Sequence, residues 1–140
     1  MIDRGLTAIV VVLTLFLSVI QQIASATANV EAICEEIIKS ERLQSAESLR
    51  LAVIAYRDHP PQDVSYITKQ LPFTSDITQV KEFLKTLYAS GGGDGPEAVT
   101  AAMKEALELD WRENASRITL LIADAPPHGG SYNACFTCLK

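Results

Sequence analysis

From residue 30 onward, the spacing of apolar residues changes between helical and extended periods. An amphipathic helix to about Ser40 is predicted, because apolar residues recur between glutamates at helical intervals, at Val30, Ile33, Cys34, Ile37 and Ile38. Leu49–Tyr56 ("LRLAVIAY") is apolar almost throughout, which is typical of a strand buried on both faces. The run "SYITKQLPFT" predicts a second strand, and its Pro72 places the strand end at a sheet edge.

Two later segments carry helix start signals. In the first, Asp76 is the predicted N-cap and Gln79 its capping-box partner. The predicted buried face of this helix consists of Val80, Phe83, Leu84 and Leu87. In the second segment, Asp94 is the predicted N-cap, Pro96 lies in the first turn and Glu97 completes a capping box. The predicted apolar stripe of this helix is Val99, Ala102, Met103, Ala106 and Leu107.

The last apolar run, Arg117–Asp124 ("RITLLIAD"), predicts another buried strand. Strands that alternate with helices and are apolar on both faces predict an α/β fold, a three-layer Rossmann-like architecture with a mainly parallel sheet. In such sheets, ligands bind in the loops beyond the carboxyl ends of the strands. Three loops qualify here, and they read "TLFLS", "SGGGDGPE" and "DAPPHGG".

The N-terminal segment is strongly apolar. No charged residue occurs from Gly5 to Val30, and the core of this run is Leu6–Ile20. That core is shorter than the ~20 apolar residues of a membrane span, and it suits the hydrophobic region of a signal peptide. Ala24-Ser25-Ala26 resembles a cleavage site, whereas Asp3 offsets the charge of Arg4. The segment therefore predicts a membrane-associated or secreted protein, with a cytoplasmic one as the alternative.

Composition narrows the function further. The chain has 140 residues, 48% of them hydrophobic, and a net charge of −5, which predicts one ordered domain. No run of lysine or arginine occurs, so a nucleic-acid partner is not expected. Cys34 is predicted to be a small buried apolar residue. Cys135 and Cys138 form a single CxxC near the C-terminus, without the second half that a zinc site requires.

Three motifs together resemble the von Willebrand factor type A (vWA) domain. They are "YRDHPP", "GGGDGPEAV" and "ADAPPHG", and the resemblance extends over roughly Leu6 to Gly129. The similarity is strongest to the subgroup associated with alpha-type protein kinases. The resemblance implies a three-layer Rossmann-like vWA fold, in which Thr7–Leu13 is the first strand. It also implies a metal-ion-dependent adhesion site that binds a partner protein.

In this family, three loops hold a divalent cation, usually Mg²⁺, and an acidic side chain of the partner completes the shell. The resemblance assigns the third-loop aspartate to Asp124 and the second-loop ligand to Asp94. In the first loop, the family's aspartate falls on Thr14, its middle hydroxyl on Phe16 and its last serine on Ser18. The metal residues implied are therefore Asp124, Asp94 and Ser18. Because the first aspartate is absent, at most weak Mg²⁺ binding is expected.

Several alternatives remain at this point. Asp94 can act as a helix cap without any metal, whereas Asp124 has no evident structural task. Ser18 is a ligand only if its loop forms. Nothing in "TLFLSVIQQIASATA" breaks a helix, so one continuous helix from about Leu6 into Lys39 is an alternative to the first strand. Cleavage near Ala26 or Ala28 would remove that strand altogether.

The predicted organisation is an N-terminal hydrophobic segment (residues 1–28), a vWA-like domain (29–129) and a tail (130–140). Family members continue past "APPHG" with further strands and helices, so the fold is predicted to be incomplete at the C-terminus, with the Ile118–Ala123 strand as an open apolar edge. His59 and His128 lie in loops without a nucleophile, and no enzymatic activity is predicted.

The predicted function is a non-catalytic protein–protein interaction module with a degenerate metal site. The alternatives are a membrane-targeted or secreted vWA-like fragment without metal, and a regulatory module related to alpha-kinase proteins.

Overall fold

The fold is a mixed α/β structure with a four-stranded sheet. A computed structural model describes residues 7–14, 28–29, 32, 36, 49–87, 97–123 and 127. Its strands are β1 (Thr7–Thr14), β2 (Leu49–Tyr56), β3 (Thr68–Thr74) and β4 (Ser116–Ile122). Its helices are α1 (Ile77–Lys85) and α2 (Val99–Glu108). The strand order is β3-β2-β1-β4; β1 runs parallel to β2 and β4, and β3 runs antiparallel to β2.

The N-terminal apolar run forms an inner strand of this sheet. β1 pairs along its length with β2 on one side and with β4 on the other. The predicted first strand is thus confirmed, and a continuous helix through Thr7–Thr14 is wrong. The physical reason is the uninterrupted β-branched run Ile9-Val10-Val11-Val12, since such side chains are restricted in helices and pack well in sheets. Ala28, Asn29, Ala32 and Glu36 are helical and exposed.

Strand β2 is the centre of the core, as predicted. Its alternate residues point to opposite faces of the sheet, and each face packs against a different helix. The first cluster joins Leu49, Leu51, Val53 and Ala55 to Val80, Leu84 and Leu87 of α1 and the residues after it. The second cluster joins Ala52, Ile54 and Tyr56 to Ala102 and Ala106 of α2.

Strand β3 is an edge strand with a bulge at its proline. The pairing shifts by one residue between the pairs Leu51–Thr74 and Val53–Leu71. Because of that shift, Leu71 packs in the first cluster while Phe73 packs in the second. Pro72 lies between them and is exposed, as expected for a residue that has no N–H to donate to a neighbouring strand. The prediction that Pro72 marks an edge is confirmed.

Helix α1 begins where the sequence predicts. The side chain of Asp76 accepts a hydrogen bond from the Thr78 N–H at 2.8 Å, which makes Asp76 the N-cap. The reciprocal bond predicted from Gln79 is wrong, because the Asp76 N–H donates instead to Oγ1 of Thr74 at 3.1 Å. Val80, Leu84 and Leu87 are buried, and Phe83 packs beside them.

Helix α2 begins later than predicted. Its N-cap is Ala98, with no side-chain capping bond, so the helix start predicted at Asp94 is wrong. The Ala98 N–H donates to the Arg57 carbonyl at 2.9 Å, and Glu97 pairs with Pro127. These two main-chain contacts hold the segment outside the helix until Val99.

The buried side of α2 is also narrower than predicted. Only the two alanines of the predicted stripe, Ala102 and Ala106, are buried, and Val99 is half-buried. Met103 is 38% exposed and Leu107 is 81% exposed, so their predicted burial is wrong. Small residues let the helix approach β2 closely, and this approach turns the two larger side chains away from the sheet.

Strand β4 forms as predicted, but it is not buried. All its residues are exposed or half-buried, and Ile118 and Leu121 are 46% and 44% exposed. The reason is that α1 packs mainly on β2 and β3 while α2 packs mainly on β2 and β1, so most of β4 lies away from the helices and only its last residue, Ile122, packs against the first cluster. Within the part of the chain that the structure describes, β4 is an apolar sheet edge, as predicted.

Candidate functional site

The carboxyl ends of three parallel strands meet at one edge of the sheet. Thr14 is the last residue of β1 and pairs with Tyr56, the last residue of β2. Beside them, Leu13 pairs with Ile122 at the end of β4. The vWA resemblance predicts an aspartate at the position of Thr14. This position is the end of β1, and a residue there could contact a ligand bound at this edge. Three residues predicted to bind metal, Ser18, Asp94 and Asp124, lie outside the described residues, as do His128 and the three cysteines.

A buried ion pair follows β2 directly. Nε of Arg57 lies 2.5 Å from Oδ2 of Asp63, and both side chains are almost wholly buried. The other carboxylate oxygen of Asp63 accepts hydrogen bonds from the main-chain N–H and the hydroxyl of Ser65, at 2.7 and 2.6 Å. The guanidinium also lies over the ring of Tyr66, 5.7 Å from its centroid. Such a buried charge pair is stable only because each partner has these further contacts.

These contacts determine the pKa of Asp63. Burial raises the pKa of this carboxyl. The two hydrogen bonds from Ser65 and the positive charge of Arg57 lower it, and their combined effect is larger than that of burial. The net result is a pKa below the ordinary value of 3.8. Asp63 is therefore ionised at neutral pH.

The intervening residues Asp58–Gln62 form a tight turn. Oδ1 of Asp58 accepts the N–H of His59 at 2.7 Å, and Asp58 is 1% exposed. The carbonyl of His59 accepts hydrogen bonds from the N–H groups of Gln62 and Asp63, at 3.0 and 3.3 Å. The Pro60–Pro61 peptide bond inside the turn is cis. His59 thus supports the turn through its main chain.

The main chain of Arg57 connects this turn to the rest of the edge. Its N–H donates to the Ile67 carbonyl before β3, and its carbonyl accepts the N–H of Ala98 before α2, both at 2.9 Å. Next to Ala98, Glu97 is 2% exposed and forms a parallel bridge with Pro127. Asp94 precedes Glu97 by a short stretch of sequence, and Asp124 likewise precedes Pro127. The bridge therefore joins the segments that follow the two predicted metal aspartates.

The described residues do not supply a complete Mg²⁺ site. Mg²⁺ requires about six oxygen ligands in octahedral geometry and usually binds through one or two carboxylates. At the end of β1, the residue is the neutral Thr14. Among the residues that the structure describes, no group of three or more His, Cys, Asp or Glu is arranged to hold a metal ion.

Sequence reasoning missed the buried charged residues at this edge, which are Arg57, Asp58, Asp63 and Glu97. One signal was present, because Arg57 and Asp58 directly follow eight residues of buried strand without a polar spacer. The partner Asp63 lies beyond two prolines, and Glu97 lies in a predicted helix start. Only the folded turn brings Asp63 back to Arg57.

Comparisons with known proteins give partial similarities. No family model matches the sequence. The alpha-protein kinase vwkA of Dictyostelium discoideum is 32% identical over an alignment of 108 residues, and the match covers 71% of this chain and 17% of that protein. The putative ariadne-like RING finger protein R811 of Acanthamoeba polyphaga mimivirus is 38% identical over 76 residues, which make up 54% of this chain and 7% of that protein.

This chain therefore spans less than a fifth of either relative. The two relatives also carry different names, one of a kinase and one of a RING finger protein, so the similar segment does not specify an activity. A search of the described helices finds none whose length and apolar character would let it cross a membrane.

Proposed function

We propose that this protein is a non-catalytic protein–protein interaction module of the vWA type with a degenerate metal-ion-dependent adhesion site. The observation that carries this proposal is the bridge between Glu97 and Pro127. It joins the segments that follow Asp94 and Asp124, at the edge where β1, β2 and β4 end. Loops that meet at the carboxyl edge of parallel strands are the usual place for a binding site in an α/β sheet.

The arrangement of the core supports the proposed fold. Three strands of the described sheet are parallel, the antiparallel strand lies at the edge, and the two faces of β2 pack against different helices. A three-layer Rossmann-like vWA domain has this combination of features. The similarity to part of alpha-protein kinase vwkA is in line with the alpha-kinase subgroup that the sequence motifs resemble.

Within this proposal, Asp94 and Asp124 are the remaining anionic ligands, and Ser18 contributes a hydroxyl. Because α2 is capped at Ala98, the competing role of Asp94 as an N-cap no longer applies. Thr14 replaces one anionic ligand with a neutral one, so Mg²⁺ affinity is expected to be weak. A partner protein would contact this edge through an acidic side chain, with little dependence on the cation.

Calorimetric titration of Mg²⁺ and Mn²⁺ into the full chain tests the metal assignment. We expect weak binding by the wild-type protein and an increase of about tenfold or more in the Thr14→Asp variant, since that substitution restores an anionic ligand. The control is Thr7→Asp, at the opposite end of the same strand, which should leave the affinity unchanged. Micromolar binding by the wild-type protein that Asp124→Ala abolishes would mean that the site is intact rather than degenerate.

A second candidate is a regulatory module of an alpha-kinase-like protein. It is favoured by the similarity to vwkA, of which this chain matches 17%. An assay for transfer of radiolabelled phosphate from ATP to a generic basic protein tests whether the chain has kinase activity of its own. We expect no phosphate transfer above that of a heat-denatured control. Phosphate transfer that increases with the concentration of the purified chain would contradict a non-catalytic role.

A membrane-targeted or secreted form without metal is the remaining alternative. Cleavage near Ala26 or Ala28 would remove β1, which pairs with both β2 and β4. We therefore favour retention of this segment in the mature protein. Mass spectrometry of the N-terminus of a tagged chain, after cell fractionation, tests this. A mature chain that begins after Ala26 would support the secreted alternative.

A further inference from the structure

We propose that Arg50, Arg112 and Arg117 form a docking surface for an acidic segment of a partner protein, at the amino edge of the sheet. This edge lies at the opposite end of the strands from Thr14 and Tyr56. The surface is therefore distinct from the carboxyl edge that carries the proposed interaction site, and it needs no metal.

The strand register aligns two of these arginines. Arg50 of β2 pairs with Ala8 of β1, and Ala8 pairs on its other side with Arg117 of β4. Residues in one row of a parallel sheet point to the same face, so both arginines lie on the α2 face. Their Cα atoms are separated by two strand spacings, or about 10 Å. At that separation on one face, both long side chains can contact the same partner segment.

Aromatic side chains on the same face support the arginines. Cζ of Arg50 lies 4.8 Å from the ring centroid of Phe73, and Cζ of Arg117 lies 5.8 Å from that of Trp111. The two rings contact each other edge-on, with centroids 5.0 Å apart. The indole N–H of Trp111 donates to the Ala106 carbonyl at 2.7 Å, which connects this row to α2. Guanidinium groups stacked in this way lose less entropy when they bind an anion.

Three arginines lie close together at this surface, beside the exposed Asp110. Partial burial and, after it, the charge of Arg112 lower the pKa of the Arg50 guanidinium, and Asp110 offsets part of this effect. Nη2 of Arg117 donates to the Arg112 carbonyl at 3.5 Å, which keeps the third arginine nearby. Like charges held together are destabilising unless an anion approaches.

The contacts of Arg50 favour a carboxylate as the occupant. Its Nη2 donates to the Asp110 carbonyl at 2.9 Å, while the Asp110 carboxylate is 4.0 Å from Nη1 and its side chain is fully exposed. An exposed pair at this distance is weak, so a glutamate or aspartate of a partner can replace it. Arginine pairs with carboxylates through two parallel hydrogen bonds. Nucleic acid is disfavoured because the rest of the chain is acidic and would repel it.

Fluorescence anisotropy with the full chain tests this surface. The probe is a labelled peptide of alternating glutamate and glycine, and the reference is the same peptide with glutamine in place of glutamate. We expect the glutamate peptide to bind at low ionic strength and to weaken as salt is added. Arg117→Gln should reduce its affinity about tenfold, and Arg50→Lys should reduce it as well, since lysine lacks the planar fork.

The matched control is Lys104→Gln, which removes the same charge from an exposed position on α2. It should leave the affinity within about twofold of the wild-type value. An equal loss in Lys104→Gln and Arg117→Gln would mean a general charge effect and would overturn the proposal. Equal binding of the glutamine peptide, no binding of the glutamate peptide, or Arg117-dependent binding of duplex DNA instead would also overturn it. Circular dichroism of Arg117→Gln confirms that a lost signal is not lost folding.

Discussion

Nε of Arg57 and Oδ2 of Asp63 lie 2.5 Å apart in a buried ion pair directly beyond the carboxyl end of β2. The pair closes the turn that contains the cis Pro60–Pro61 bond, and the main chain of Arg57 holds the segments before β3 and α2. This charge pair therefore helps to position the residues next to the proposed interaction site. Because both side chains are buried, water has little access to the pair.

Loss of this pair should destabilise the protein strongly. Asp63→Asn removes the negative charge but keeps the shape, and it leaves the guanidinium of Arg57 buried without its counter-charge. We expect the free energy of unfolding to fall by about 3 kcal/mol. Urea denaturation followed by circular dichroism measures the change. Asp110→Asn, at a fully exposed aspartate, is the control and should leave the midpoint unchanged. Equal midpoints for both variants would contradict a stabilising role.

The same pair should make stability depend on pH in the acid range. The folded-state pKa of Asp63 is lowered below 3.8, so its contribution to stability is complete above that value. The contribution is lost as pH falls through the lowered folded-state pKa. The difference in unfolding free energy between wild type and Asp63→Asn should thus be constant near neutral pH and shrink only in strong acid. A difference that shrinks already near pH 6 would assign the effect to another group.

Strand β1 should be essential for folding. Its main chain is paired on both sides, so the N–H of Val11 faces a neighbouring strand. Val11→Pro removes that donor and should cost at least about 3 kcal/mol, which would abolish a cooperative thermal transition. Val11→Ile keeps the N–H and the branched side chain, and it should unfold like the wild type. Cooperative unfolding of Val11→Pro would indicate that the segment is dispensable, as a leader peptide would be.

The observed contact between α2 and β2 predicts that substitutions at two adjacent residues differ in their effect on stability. Ala106 is buried against β2, so Ala106→Leu should overpack the contact and destabilise the protein by about 1–3 kcal/mol. Leu107 is exposed, so Leu107→Ala should leave the thermal midpoint nearly unchanged. Differential scanning calorimetry of the two variants checks both outcomes. The reverse order of midpoints would support the wider apolar stripe that the sequence predicts.

The apolar edge formed by β4 should promote self-association. Exposed apolar strands at a sheet edge can pair with other chains. Ile118→Lys places a charge on that strand and should lower the apparent mass measured by sedimentation at high protein concentration. The control is Val64→Lys, at a more exposed valine in the loop after β2. Identical sedimentation of wild type and Ile118→Lys would indicate that β4 is covered in solution.

Much of the secondary structure follows from local pattern. The apolar character of Leu49–Tyr56, the edge position of Pro72 and the capping side chain of Asp76 are all observed. The start of α2 and the burial of Met103 and Leu107 were not predictable in the same way. The start of α2 depends on the Ala98–Arg57 and Glu97–Pro127 contacts, and the exposure of the two larger side chains depends on the packing of the α2 alanines against β2. All of these contacts join residues far apart in sequence.

The residues of the candidate site also fall into two groups, those that the local sequence indicates and those that only the folded chain brings together. Motif matching alone identifies Ser18, Asp94 and Asp124 as predicted ligands, and β1 ends at Thr14, where the vWA resemblance leads us to expect an aspartate. The buried pair of Arg57 and Asp63 has no periodic signal, because a charged residue becomes buried only when a turn and a neighbouring helix enclose it. The row of Arg50 and Arg117 likewise depends on strand register.

Residue order by itself determined that Leu49–Tyr56 is a strand, because an almost continuous apolar run of that length is typical of a strand buried on both faces. At Thr7–Thr14 the sequence left a helix open, and the pairing with β2 and β4 decided for a strand. Residue order also determined that the neutral Thr14 stands where the vWA resemblance leads us to expect an aspartate. Tertiary structure alone decided which strands are neighbours, which side of α2 is buried and which charges are paired. Those outcomes depend on contacts between residues distant in the chain, and their energies exist only once the sheet and helices have come together.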